Sequence, residues 1–333
     1  MVDSSQLAES KEIHRKTGRT FYYATRLLPE RVRHATYVLY AFFRVADEVV
    51  DDADADTTPA EQRRRLEAIR DAALGGETDD GERTAGPRAS SDEPDGEVLA
   101  AFSELRERYG IPDREVEVFV EAMLTDIEKA RYETYEELET YMRGSASAVG
   151  VMMTYVMEPA DHEAAISHAQ RLGEAFQLTN FVRDVGEDIV DRDRIYLPRE
   201  TLDAYGVTEA QIERREYDEA FAGAVEHELR RAESLYREGV AGIKYLPKDC
   251  QLPVLTAAVL YADHHRLIRR VDGDTLTRTP SLSPVRKALL VAKTWAFWRW
   301  HEDPEAVFAR VSAVPKTAET RREPGPGEPL PAR

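Results

Sequence analysis

Apolar residues recur at helical spacing through most of this chain, and period-2 alternation is nearly absent. The pattern predicts helices over 4–17, 30–53, 59–74, 95–109, 113–131, 134–157, 161–190, 208–240, 250–271 and 283–311, and so an all-α fold. Pro29, Pro112, Pro159, Pro198, Pro247, Pro253, Pro280 and Pro284 fall at or near the starts and joints of these segments. A residue without an N–H is tolerated there. The stretch 75–96 (GGETDDGERTAGPRASSDEPDG) and the tail 315–333 have no apolar period. They read as a disordered inserted loop and a disordered tail. One domain over 1–314 is expected, because an all-helical unit of this length can share one core.

Charge narrows the partners. Sixty-three acids face 45 bases, a net charge of −18, which argues against nucleic acid. Only eight of the bases are lysines. That balance reads as adaptation to high salt, where screening relieves self-repulsion. An ordinary acidic protein from a GC-rich genome is the alternative. The single cysteine, Cys250, excludes a disulfide framework and a cysteine-cluster metal site. The longest apolar runs, near 146–157 and 252–262, are shorter than the ~18–20 residues that span a bilayer. The N-terminus (MVDSSQLAESKEIHRK) carries no apolar signal segment, so a soluble, cytoplasmic protein is expected.

Two stripes carry the chemistry. In LYAFFRVADEVVDD, Tyr40, Arg44, Asp47 and Asp51 stand at offsets 0, 4, 7 and 11, on one helix face. In EAFQLTNFVRDVGED, Gln177, Asn180, Asp184 and Asp188 repeat the pattern at 0, 3, 7 and 11. Apolar residues flank both stripes, so neither can simply face water. Packed side by side they would set four carboxylates across one cavity, which repulsion and desolvation oppose. Hard divalent cations relieve that, and Mg²⁺ fits best because it takes one or two carboxylates with water and phosphate oxygens. Arg19, Arg44 and Arg183 suit the remaining phosphate oxygens. The bland alternative is surface decoration, since a chain this acidic produces acid pairs at helical spacing by chance.

The same residues carry a resemblance. TGRTFYYATRLLPERVRHATYVLYAFFRVADEVVDD and AQRLGEAFQLTNFVRDVGEDIVDRDRIYLP resemble the two signatures of the squalene/phytoene synthase family, the head-to-head prenyl transferases. YMRGSASAVGVMM is most similar to the phytoene synthase branch. The resemblance implies an isoprenoid synthase helical bundle around a central Mg²⁺-binding cavity. It implies Mg²⁺ (or Mn²⁺) on Asp47, Asp51, Asn180, Asp184 and Asp188, with Glu48 and Glu187 less certain. It implies substrate contacts at Thr17, Gly18, Arg19, Thr20, Tyr40, Arg44, Tyr141, Gln177, Arg183, Tyr261 and Arg278. Arg143 and Gly18 depart from residues common in the family, which bears on substrate placement.

The implied activity is phytoene synthesis from two geranylgeranyl diphosphates, within carotenoid biosynthesis. The cationic steps pass through a cyclopropylcarbinyl diphosphate and require a dry cavity, here expected to be walled by Phe21, Phe43, Phe176 and Val149. No dedicated general base is expected; released diphosphate and Tyr40 nearby are the candidate proton acceptors. No NADPH is expected, and no nucleotide-binding glycine loop is present. Squalene or dehydrosqualene synthesis from farnesyl diphosphates is the alternative, and a non-catalytic acidic scaffold is another. A class I terpene cyclase shares the metal logic, but NFVRDVGED does not match its second motif. Residues 144–150 read equally as close helix packing and as a groove for a prenyl chain. His264 and His265 are expected on a partly exposed face. Trp295, Phe297, Trp298 and Trp300 read first as packing and second as peripheral membrane contact at the inner face, since substrate and product are greasy. Downstream carotenoid enzymes are candidate partners.

Overall fold

The computed structural model describes residues 25–51, 57–76 and 94–316, which form α-helices and no β-strand. The predicted helix 4–17, residues 77–93 of the inserted loop and most of the tail lie outside the described residues; 94–96, assigned to the loop, begin a helix.

Helix α1 (Glu30–Asp51) buries Val32, Leu39, Phe42, Ala46 and Val49, the i, i+3/i+4 set that the pattern demands. Phe42 is fully buried and stacks on Phe102 with ring centroids 3.8 Å apart. Burial of such a ring contributes about 2–3 kcal/mol. Helices α2 (Pro59–Ala73), α3 (Pro94–Tyr109) and α4 (Asp113–Glu128) pack around α1. Thr58 and Glu61 close the α2 N-terminus as a reciprocal capping box.

The predicted helix 134–157 is three pieces: α5 (Tyr135–Met142), a π turn over Arg143–Ser147, and α6 (Ala148–Met157). A wide turn of this kind re-aims the chain. Gly144 lies within it, so close to α4 that a Cβ would sit 2.2 Å from the Val118 carbonyl oxygen.

Helix α7 (His162–Arg183) is central and packs on α6, the π turn, α11 (Glu219–Val240) and α12 (Lys248–Arg270). Prediction ran it unbroken to residue 190. The structure ends it at Asp184 and starts α8 (Val185–Arg192) immediately after. The break follows from an approach by the chain at Thr275–Leu276. Gly186 N–H donates to Thr275 O at 2.9 Å, and a Cβ on Gly186 would lie 2.1 Å from Leu276 O.

Two further helices depart from expectation. Helix α9 (Arg199–Tyr205) was not foreseen; it is short and buries only Thr201 and Leu202, too few for a period. The segment 208–240 divides into α10 (Glu209–Glu213) and α11, because Asp218 caps α11 by accepting from Phe221 N–H. At the C-terminus α13 (Pro284–His301) and α14 (Pro304–Val311) meet at Glu302, in left-handed conformation, before the Asp303 cap. An isolated parallel bridge joins Arg131 to Ile195 and pins the chain after α8 beside the α4–α5 connection. No described helix is long and apolar enough to cross a membrane.

Candidate active site

The two predicted stripes meet. Arg192, in the last turn of α8, grips Asp51 of α1 with two bonds: Nε to Oδ1 at 3.0 Å and Nη2 to Oδ2 at 3.0 Å. Its Nη1 lies 3.5 Å from Asp188 Oδ1. One guanidinium therefore spans two carboxylates from motifs 137 residues apart in sequence. Asp51, Asp184 and Asp188 keep only 14%, 17% and 13% of their side chains exposed, whereas Asp47 keeps 43%. A surface-decoration reading requires these carboxylates to be solvated, and three of them are not.

Each carboxylate has an arginine partner. Arg44 donates to Asp47 at 2.7 Å and to Glu48 at 3.0 Å. Arg183 grips Asp184 through Nε at 2.6 Å and Nη2 at 2.5 Å. Arg194 lies 3.6 Å from Asp51 and is anchored by its bond to the Asp126 carbonyl at 2.8 Å. Compensation is incomplete. Desolvation, reinforced by Asp184, raises the Asp188 carboxyl to about 7. Desolvation, then Asp51, raises that of Asp47. Raised carboxyl pKa values in a cleft mark a place waiting for positive charge.

The second stripe is bent rather than straight. Gln177 and Asn180 lie on α7, Asp184 is the hinge, and Asp188 belongs to α8. Asp188 N–H still donates to the Asp184 carbonyl at 2.8 Å, which preserves the helical offset across the break.

An apolar cavity of about 220 Å³ runs along α7, touching Ala165, Ala169, Gly173, Phe176, Gln177 and Asn180. Tyr261 closes it beside Phe176, with ring centroids 4.6 Å apart. Burial pushes the Tyr261 phenol up to about 12, with Arg183 opposing, so it stays protonated. Val149 and Phe176 wall the cavity as expected; Phe43 instead packs on Phe119, and Phe21 lies outside the described residues. The small-residue segment packs closely on its neighbours and also borders the cavity. Gly144 permits packing on α4, while Ser145, Ala146 and Gly150 line the cavity.

A wider cleft of about 1580 Å³ reaches Arg183 and Asp184 and continues between α12 and α13. His264 lines it, but both histidines are buried rather than partly exposed. Burial lowers His264 to about 4, so it is neutral. His265 Nε2 meets Thr179 Oγ1 at 2.9 Å inside a buried network. The sequence pattern hid this because α12 is buried on most of its circumference.

Tyr141 is buried, and its hydroxyl donates to Asp126 Oδ2 at 2.7 Å. Arg278 is 63% exposed, 3.6 Å from Asp274, and is not brought to the carboxylates. Thr17, Gly18, Arg19 and Thr20 lie outside the described residues. Tyr40 sits half-buried on α1 within electrostatic range of Tyr261.

Sequence reasoning missed Asp126, Arg192 and Arg194. Asp126 continues the buried face of Phe119, Ala122 and Met123, so an acid where the period asks for an apolar residue was the available signal. Its Oδ1 has no hydrogen-bond donor among the described residues. Desolvation raises its carboxyl to about 6, with Arg194 opposing and Asp47 and Asp51 adding to the rise. Arg192 stands four residues after Asp188, the spacing of a helical ion pair.

No group of three or more His, Cys, Asp or Glu converges on one point among the described residues. The donors nonetheless fit Mg²⁺: hard carboxylate oxygens on facing helices, short of positive charge, around an ion that needs only one or two carboxylates when phosphate oxygens complete its shell.

The sequence matches the family model described as squalene/phytoene synthase over residues 14–286. The chain belongs to this family. Among its squalene/phytoene synthase relatives, the phytoene synthase of Cereibacter sphaeroides is 33% identical, over 84% of this chain and 76% of its own. That of Thermus thermophilus is 32% identical, over 86% and 91%. A solved dehydrosqualene synthase overlays with a TM-score of 0.74 at 25% identity, covering 89% of this chain and 97% of that one. A squalene synthase from Alicyclobacillus acidocaldarius overlays at 0.67 and 22% identity, over 80% and 94%, and supports the fold. The all-α isoprenoid synthase architecture of the family is thus the one found here.

Proposed function

We propose that the chain is a phytoene synthase, a prenyltransferase that joins two geranylgeranyl diphosphates head to head and releases two diphosphates. The observation that carries the reading is the meeting of the two acidic motifs through Arg192, next to an apolar cavity that reaches Gln177 and Asn180 of the second motif. The phytoene synthase relatives support the same reading.

Asp47, Asp51, Asn180, Asp184 and Asp188 would hold Mg²⁺, or Mn²⁺ in its place. The bound ion supplies Lewis-acid stabilisation of the departing diphosphate. The chain's own residues do the rest. Arg44, held by Asp47 and Glu48, and Arg183, held by Asp184 and lining the wide cleft, carry guanidinium groups suited to phosphate oxygens. Gln177 and Asn180 place polar groups where α7 leaves the cavity. Phe176, Val149 and Tyr261 exclude water, which would otherwise quench a carbocation. Burial keeps the Tyr261 phenol protonated, so it supplies no phenolate base. Thr17–Thr20 and Arg278 are proposed to join on the substrate side.

Product analysis tests the reading. Purified protein is incubated with Mg²⁺ and either geranylgeranyl or farnesyl diphosphate, with and without NADPH. A C40 product formed without NADPH is expected. A C30 product alone would replace the proposal with squalene or dehydrosqualene synthesis. No turnover of either, with undiminished folding, would leave the scaffold reading.

A further inference from the structure

Helix α13 is chemically unlike the rest of the molecule. Its eighteen residues (PVRKALLVAKTWAFWRWH) contain no acid and four bases, in a chain where about one residue in five is acidic. All three tryptophans of the chain lie on it: Trp295, Trp298 and Trp300. The expected core packing holds for Phe297 and Trp298 alone. Trp300 is 85% exposed, Val285 80%, Trp295 52% and Leu289 45%. At 100° per residue, Val285, Leu289 and Trp300 fall within about 60° of one another on the helix surface. Exposed Lys293 and Arg299 border that stripe, and Arg299 stacks 5.2 Å from the Trp295 ring. Arg286 is not part of this face, being held by Asp263 at 2.6 Å.

An apolar, aromatic stripe edged with bases is the surface that lies flat in a lipid interface. A soluble partner with an apolar face would leave the bases unused, and a polar partner would leave the tryptophans unused. An anionic bilayer matches both, and the acid-free helix faces it from a molecule whose 63 acids all lie elsewhere. We propose that α13 docks this protein on an anionic membrane surface through Trp300, Val285 and Leu289, with Lys293 and Arg299 toward the headgroups. The flank of the same helix lines the wide cleft that reaches Arg183 and Asp184, through Ala288, Val291, Trp295 and Trp298. Docking would therefore open that cleft beside the lipid, where a greasy product can leave. This last consequence rests on the prenyl reading; the docking does not.

Because every tryptophan is on α13, its fluorescence reports this helix alone. The full chain is mixed with phosphatidylglycerol or phosphatidylcholine vesicles at 0.1 M salt, and sedimentation and emission wavelength are read together. Binding to phosphatidylglycerol with a blue shift is expected. K293E/R299E is expected to lose about tenfold or more of that binding, since each base near an anionic surface matters individually. W300S is expected to lose about as much by removing the inserted ring. R199E, a reversal at an exposed arginine outside α13, serves as the comparison, and circular dichroism monitors folding of each variant. Equal binding to both lipids, sedimentation without a blue shift, loss in R199E matching that in K293E/R299E, or no binding would each overturn the proposal. Turnover of soluble diphosphates is a separate measurement, so failure here leaves the enzymatic reading intact.

Discussion

Arg192→Gln removes the guanidinium that bridges the two acidic motifs. Its loss leaves Asp51 with Arg194 at 3.6 Å, and removes from Asp188 the arginine at 3.5 Å. Deleting one partner of a buried pair costs about 3–5 kcal/mol, and an exposed pair is worth about 0–1 kcal/mol. Arg192 is 36% exposed while the aspartates are 13–14% exposed. An intermediate cost follows, about 1–3 kcal/mol for the metal-free protein. At roughly 2–4 °C per kcal/mol, the melting temperature should fall by about 2–12 °C. Saturating Mg²⁺ with inorganic pyrophosphate supplies the positive charge from outside, so the deficit should then shrink to about a quarter or less. Acid should shrink it too. The Asp188 carboxyl is raised to about 7, so its protonation as pH falls from 8 to 6 removes the uncompensated charge. Thermal unfolding followed by circular dichroism, with and without Mg²⁺ and pyrophosphate, reads all three effects. An equal deficit in every condition would make Arg192 a plain structural tie and refute the reasoning.

Four further outcomes are expected. Gly186→Ala would drive a methyl to 2.1 Å from the Leu276 carbonyl; overpacking against backbone costs about 1–3 kcal/mol, and product formation should drop with it. Gly110→Ala meets nothing within 4 Å, so it should cost only the left-handed backbone strain of about 1 kcal/mol and leave turnover unchanged. Asp126, raised to about 6, holds a proton in the folded state that the unfolded chain has lost. Its contribution to stability is therefore full below about pH 4 and lost as pH rises through 6. Asp126→Asn should flatten that part of the stability–pH curve in denaturant titrations; an unchanged slope would place the titration elsewhere. Raising potassium chloride from 0.1 to 2 M screens the −18 charge and should raise the metal-free melting temperature; a decrease would remove the high-salt reading of the composition.

The sequence by itself determined the helical class and the face on which each functional side chain of α1 lies. Both are local: the period of apolar residues fixes which side of a helix turns inward, and Tyr40, Arg44, Asp47 and Asp51 follow from it without any knowledge of neighbours. The family signature added the pairing of the two motifs. What only the tertiary structure decided are the contacts made by distant backbone. The break at Asp184 exists because the Thr275–Leu276 chain presses on Gly186, and no local pattern encodes a neighbour ninety residues away. Burial of His264 and His265, the bridge from Arg192 to Asp51, and the place of Asp126 beside Tyr141 have the same origin. Periodicity says which residues turn away from water. It does not say what they turn toward, because that depends on packing between segments whose separation in sequence carries no period.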